Sequence, residues 1–224
     1  MSPAMSVVLH DYWRSSASYR VRIALNLKGI GYGRVPVDLV AGEQRGPDHR
    51  ALNPQGLVPV LRIDGLVLTQ SLAILDYLEE IRPEPPLLPA DPAGRARVRA
   101  LSQAIACEIH PLANLRVLDR VEALAGPAAR ADWTRDTIAA GLEAVEALLD
   151  HPAFTGRFCH GDTPTLADCT LVPQLYNATR WSVPCDHLPR ITAVASTCAS
   201  HPAFAQAHPE HCKPAKVQAA GPGR

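Results

Sequence analysis

No apolar run in the 224-residue chain approaches the ~20 residues that a membrane-spanning helix requires. The opening stretch, MSPAMSVVLHDYW, has neither a basic start nor an apolar core long enough for a secretory leader. Charge of one sign is missing too. Lys plus Arg and Asp plus Glu stand at 22 each, so no net field favours nucleic acid or an anionic membrane surface. Any anion site must therefore come from a local cluster. The six cysteines, at 107, 159, 169, 185, 198 and 212, include no CxxC pair and no close spacing. That pattern argues for scattered thiols in a reducing compartment rather than a disulfide framework, and makes a cytoplasmic location the expectation. What is present is an ordinary globular balance, 47% hydrophobic and 20% charged.

Val7–Leu9 predicts a short strand running into a polar loop, Asp11–Ser16. Tyr19–Lys28 then predicts a helix, with Gly29 as its left-handed stop. Tyr32–Val37 suits a second strand; with a helix between them, the two strands are expected to pair in parallel as a βαβ unit. A loop rich in Gly, Arg and Asp fills residues 41–50. Val60–Ile63 and Leu66–Leu68 flank Asp64-Gly65, a strong hairpin signal. Leu72, Leu75 and Leu78 give Ser71–Glu80 a helical period. The order amounts to a compact α/β domain over residues 1–86.

Pro83, Pro85, Pro86, Pro89 and Pro92 interrupt regular structure and mark a domain boundary. Beyond them strand signals nearly vanish. Arg95–Val121, Asp132–Asp150, Thr165–Arg180 and Ile191–Ser200 read as helices, giving an all-helical domain over 93–212 and a flexible tail over 213–224. Thr165 and Asp168 fit a capping box. Pro173 sits inside that helix at a nominal cost of ~3 kcal/mol and predicts a kink. Cys107 and Cys169 fall in apolar helical runs as core thiols. His201, His208, His211 and Cys212 cluster near the C-terminus, but a metal needs fixed geometry that a frayed tail lacks. No metal is expected.

Three segments carry candidate chemistry. In Arg14-Ser15-Ser16-Ala17-Ser18, hydroxyls at a helix N-terminus either simply cap it or, with the free N–H groups, hold an anion such as a thiolate. Val58-Pro59, just before a strand, is either a trans strand start or a cis turn that offers Val58's backbone to a peptide-like ligand. Gln70-Ser71 is either another N-cap or a seat for a carboxylate.

The motifs SSASYRVRIALNLKGI, ALNPQGLVPVL, LTQSLAILDYLEE, IHPLANLRVL and GDTPTLADCTLVPQL, in this order, resemble the zeta class of glutathione transferases. Within that class the resemblance is to the bacterial maleylacetoacetate and maleylpyruvate isomerases, and it runs from about Val8 to about Pro209. It implies the glutathione transferase fold, α/β plus all-α: a thioredoxin-like N-terminal domain, a helical C-terminal domain, and a homodimer. It also assigns residues. Ser15, with Ser16 as its rival, holds the glutathione sulfur; Val58 before cis-Pro59 clamps the peptide; Gln70 and Ser71 grip the γ-glutamyl end. Gln44 reaches the glycine end, and His110 and Asn114 close over glutathione from the helical domain. Arg14, Arg116 and Arg180 match arginines that bind substrate carboxylates, for which the planar guanidinium fork is suited. Zeta enzymes often read Ser-Ser-Cys at the turn, whereas Ala17 stands here in place of the cysteine. The reacting sulfur must then belong to glutathione.

The implied activity is a glutathione-dependent cis–trans isomerisation of a small dicarboxylate. Thiolate adds to a double bond conjugated to a ketone, the new single bond rotates, and elimination returns the thiolate. Maleylacetoacetate, from tyrosine and phenylalanine breakdown, is the leading substrate, and maleylpyruvate of the gentisate route is the alternative. A conjugating transferase would instead consume glutathione, and a non-catalytic binding protein would lack the activating hydroxyl.

Overall fold

The computed structural model describes residues 7–214. These fall into two compact units: the chain up to Pro85 together with Pro202 onward, and Pro86–His201.

In the first unit, β1 (Val8–Asp11) leads to α1 (Ser16–Leu27) and β2 (Gly33–Pro36). A 3-10 turn at Glu43–Arg45 and α2 (Pro47–Leu52) occupy the expected loop, followed by β3 (Val60–Ile63), β4 (Leu66–Thr69) and α3 (Ser71–Ile81). The sheet order is β2-β1-β3-β4. β1 and β2 pair in parallel, as a helical connection between them requires, while β1–β3 and β3–β4 are antiparallel. Asp64 and Gly65 both take positive φ, 51° and 80°, the conformation of a two-residue turn whose twist matches its strands. Gly29 ends α1 at φ 64°. The core combines Leu9, Val60 and Leu61 of the sheet with Ile23 and Leu25 of α1 and Ile74, Leu75 and Leu78 of α3, all at 0% exposure.

Two arginines interrupt the apolar run of α1, and neither is a surface residue. Arg22 is wholly buried; it pairs with Asp11 at 2.7 and 3.0 Å and donates to the carbonyls of Trp13 and Ala207, both at 3.0 Å. Arg34 also meets Asp11 at 2.9 Å and donates to the Cys212 carbonyl at 2.5 Å. Asn26 Nδ2 donates to the Ala203 carbonyl at 2.9 Å. These donors take up backbone carbonyls of α8 (Pro202–Ala207) and α9 (Pro209–Cys212), so the last described segment belongs to the first unit. The sequence boundary at 212 differs for this reason: the helical unit closes at His201. His208 caps α9, its Nδ1 accepting from Glu210 N–H at 3.3 Å, and Cys212 is buried. The expected flexible tail lies almost wholly outside the described residues.

The second unit contains α4 (Pro92–Gln103), a π-helical run at Ala104–Ile109, α5 (Leu115–Leu148), α6 (Leu166–Arg180) and α7 (Pro189–Ala199). The continuous helix expected over 95–121 does not exist. The chain widens into the π run and leaves the helix at His110-Pro111; a new helix starts at Leu115, capped by Asn114. Apolar periodicity on both sides of Pro111 disguised the stop. α5 changes direction at Gly126 (φ 87°, ψ 173°), where Arg130 pairs with Asp119 and Glu122 at 2.9 and 2.6 Å. The capping box of α6 forms as expected: Thr165 donates from both N–H and hydroxyl to Asp168 Oδ2, at 2.7 and 2.8 Å. Asp168 also accepts from Cys159 N–H at 2.8 Å; burial raises its pKa, and these bonds oppose the rise. Pro173 lies inside α6 without ending it. Glu146 of α5 accepts from the Arg190 and Ile191 N–H groups at 3.0 and 2.9 Å, satisfying the N-terminus of α7.

Candidate active site

Ser15 occupies the N-cap of α1. Its Oγ accepts from Ser18 N–H at 3.2 Å, and its own N–H donates to the Tyr12 carbonyl at 2.9 Å. Capping uses an oxygen lone pair, whereas holding a thiolate would use the hydroxyl proton, so the two roles are compatible in one side chain. Ser16 is the first helical residue and is buried, while Ser15 is partly open. Arg14 lies with its guanidinium carbon 5.9 Å from the Tyr12 ring centre and 5.4 Å from that of Trp13.

Val58-Pro59 is cis. The residue before it is pinned: the Leu57 carbonyl accepts from Asn53 Nδ2 and from His49 Nε2, both at 2.9 Å. Since a carbonyl only accepts, that His49 nitrogen carries the proton. Gly56 adopts φ 63°, and a Cβ there would sit 3.0 Å from the Gln44 carbonyl oxygen. Glycine at this point lets the 3-10 turn carrying Gln44 close down on the backbone just ahead of Val58-Pro59. The Gln44 side chain is buried, and its Oε1 has no hydrogen-bond partner among the described residues.

Gln70 precedes α3 at φ 66°, ψ 111°, an unusual conformation for a residue with a Cβ, and its Nε2 donates to Gln55 Oε1 at 2.8 Å. Ser71, the first residue of α3, is buried and accepts at Oγ from Arg20 NH1 at 3.1 Å. Arg20 is 2% exposed. A buried cation thus stands beside a helix N-terminus, and both favour a carboxylate there. The first unit therefore carries two helix N-termini, a cis Val58-Pro59 bond beside the pinned Leu57 carbonyl, and at Gln44 an amide oxygen with no partner among the described residues. That set suits a peptide-like ligand carrying carboxylates and a sulfur.

Sequence reasoning missed Arg20, His49, Asn53 and Gln55. The signal for Arg20 was available: a charge inside the apolar run of α1 has to be paired or to serve an anion. His49, Asn53 and Gln55 act through the fold of the 42–57 loop, which carried no periodic pattern.

In the second unit, His110 and Asn114 flank the connection between the π run and α5. Asn114 Oδ1 accepts from Arg116 N–H at 3.3 Å, and the Arg116 side chain is exposed. Arg180 is exposed at the end of α6, 3.5 Å from Asn177 Oδ1. Arg135 of α5 donates from Nε to the Trp181 carbonyl at 3.3 Å, tying that end of α6 to α5. Cys169 is buried as expected, but Cys107 is exposed on the π run. Burial pushes the thiols of Cys159, Cys198 and Cys212 up, leaving them protonated at neutral pH.

The glutathione S-transferase N-terminal domain model matches residues 14–81, and the C-terminal domain model matches 116–193. The maleylacetoacetate isomerase of Rhizobium meliloti is 59% identical over 213 residues, 94% of this chain and all of its own length. A solved holo structure of maleylpyruvate isomerase, a bacterial zeta-class glutathione transferase, superposes with a TM-score of 0.89 at 46% identity, covering 93% of this chain and 99% of that one. This chain belongs to the zeta class of the glutathione transferase family. A maleylacetoacetate isomerase from Anaeromyxobacter dehalogenans, solved with glutathione in its active site, is similar at TM-score 0.84 and 45% identity, covering 94% and 97% of the two chains. The four-stranded mixed sheet of the first unit and the helices of the second are those of this fold.

Proposed function

We propose that this chain is a glutathione-dependent cis–trans isomerase that converts maleylacetoacetate to fumarylacetoacetate. The observation that carries the reading is the 59% identity to the Rhizobium meliloti maleylacetoacetate isomerase over that enzyme's full length. Bound glutathione supplies a thiolate that adds to the conjugated double bond, permits rotation and leaves again.

The chain's own residues have separable tasks in this proposal. Ser15, capped onto α1 and partly open, donates a hydrogen bond from its hydroxyl to the sulfur and stabilises the thiolate; Ser16 beside it is the buried alternative. Val58, ahead of Pro59, pairs its backbone with the peptide. Gln70 and Ser71, with Arg20 behind Ser71, take the γ-glutamyl carboxylate. Gln44 serves the glycine end, where its unpartnered amide oxygen can accept from the ligand's glycyl N–H. His110 and Asn114 are further glutathione residues. Arg14, Arg116 and Arg180 hold the dicarboxylate and offset charge developing on its ketone oxygen. High burial keeps the thiols of Cys159, Cys198 and Cys212 out of the chemistry, and Ala17 leaves no thiol at the turn. We place the enzyme in the cytoplasm as a homodimer; sedimentation of the purified chain tests the dimer.

Maleylpyruvate is the second reading, favoured by the TM-score of 0.89 to the maleylpyruvate isomerase. Comparing kcat/KM for the two cis substrates decides between them. Preference for maleylacetoacetate supports the proposal, and preference for maleylpyruvate replaces it.

A further inference from the structure

Gly141 sits in the second half of α5, where glycine is less favourable than alanine. Its environment accounts for it. A Cβ there would lie 2.4 Å from Ile109 Cγ1 and 2.5 Å from Ile109 Cδ1, closer than carbon atoms approach without a bond. Ile109 is the last residue of the π run, is 2% exposed, and fills the notch left by the missing methyl. A second contact lies on the same helix. Trp133 Nε1 donates to the Leu112 carbonyl at 3.0 Å. Trp133 and Gly141 are eight residues apart, about 12 Å and a little over two turns, so both contacts fall on one face. That face grips the chain at Ile109 and at Leu112, on either side of His110 and just ahead of Asn114 and Arg116.

π turns take an extra residue and so re-aim every side chain that follows, by roughly 100° relative to an α continuation. The direction in which His110 leaves the helix is set where the π run ends, at Ile109. We propose that Gly141 and Trp133 are positioning residues: they fix Ile109–Ala113 against α5 and thereby set the placement of His110, Asn114 and Arg116 for ligand binding. The inference rests on the isomerase reading above for the roles of those three residues.

Gly141→Ala tests it. In an exposed helix this substitution raises stability. Here it should lower Tm, and in the fraction that remains folded at assay temperature raise KM for the dicarboxylate about tenfold or more, with a smaller change in kcat. Adding Ile109→Ala removes both clashing carbons and lets the new methyl at 141 occupy the space they vacate. The segment can then seat on α5 again, and KM should return toward the wild-type value even if Tm stays low, which a purely structural role would not do. Trp133→Phe, which keeps an aromatic ring but removes the indole donor, should raise KM in the same direction without depending on the glycine. Unchanged KM in both Gly141→Ala and Trp133→Phe overturns the proposal, as does a double variant that folds but keeps the raised KM. Should the wild-type chain bind glutathione yet fail to isomerise, the function reading falls instead. Calorimetric glutathione affinity then still tests positioning, with weaker binding in Gly141→Ala supporting it and unchanged binding overturning it.

Discussion

Ser15 holds its helix with a lone pair and has its proton left for a ligand, and those two capacities can be separated by substitution. Ser15→Ala should lose both, costing about 1 kcal/mol of stability as a lost N-cap and about 10²–10³ in kcat as a lost anion-stabilising donor. Ser15→Gly costs only a few tenths of a kcal/mol as a cap, yet it removes the same hydroxyl. Equal kcat losses with unequal unfolding midpoints would separate the roles; kcat retained in the glycine variant would transfer the sulfur contact to Ser16.

His10 carries the clearest pH consequence at the same scale. Burial, with the nearby His49 and Arg62, lowers its pKa below the ordinary 6.5, and its Nε2 is enclosed without a hydrogen-bond partner among the described residues. As pH falls below 6.5 the unfolded chain takes the proton first, so the folded state binds fewer protons and loses stability. Burial shifts His160 and His208 in the same direction. Urea midpoints should therefore decline as pH drops through that value, and His10→Phe should flatten part of the slope. A slope that His10→Phe leaves unchanged would remove His10 from the account.

Among the elements, the loop from Gly42 to Leu57 decides whether the candidate site can assemble. Gly56→Ala places a Cβ at positive φ and 3.0 Å from the Gln44 carbonyl, so it should cost about 1–2 kcal/mol and weaken glutathione binding measured by calorimetry. Binding at wild-type strength would mean that the Gln44 turn does not need that approach. This loop was also the least legible part of the first unit. The strands, the Asp64-Gly65 hairpin and α3 followed from alternation, turn chemistry and helical period. The 3-10 turn and α2 carry no apolar stripe and are held by side-chain bonds such as His49 and Asn53 to Leu57. In the second unit the capping box at Thr165 was readable because it is local. The π run was not, because it carries no local residue signature and the Ile109–Gly141 contact at its end joins residues far apart in the chain.

For the whole molecule, the first unit is discontinuous in sequence: α8 and α9 return to it after the helical unit is complete. Arg22 is the clasp, joining Asp11, Trp13 and Ala207. Arg22→Met strands much of the Asp11 charge in the interior and should destabilise by about 3–5 kcal/mol in chemical denaturation, with Arg34 left as the remaining partner. A loss below 1 kcal/mol, the usual worth of an exposed ion pair, would show that the clasp carries little of the fold. Sequence could not foresee this closure, because the acceptors are backbone carbonyls and leave no residue signature.

The most direct test of the central claim follows substrate and free thiol together. Purified enzyme should convert maleylacetoacetate to the trans isomer only when glutathione is present, through many turnovers, with the free thiol concentration constant throughout. Turnover without glutathione, or thiol consumed in proportion to product, would contradict an isomerase that borrows its sulfur and returns it.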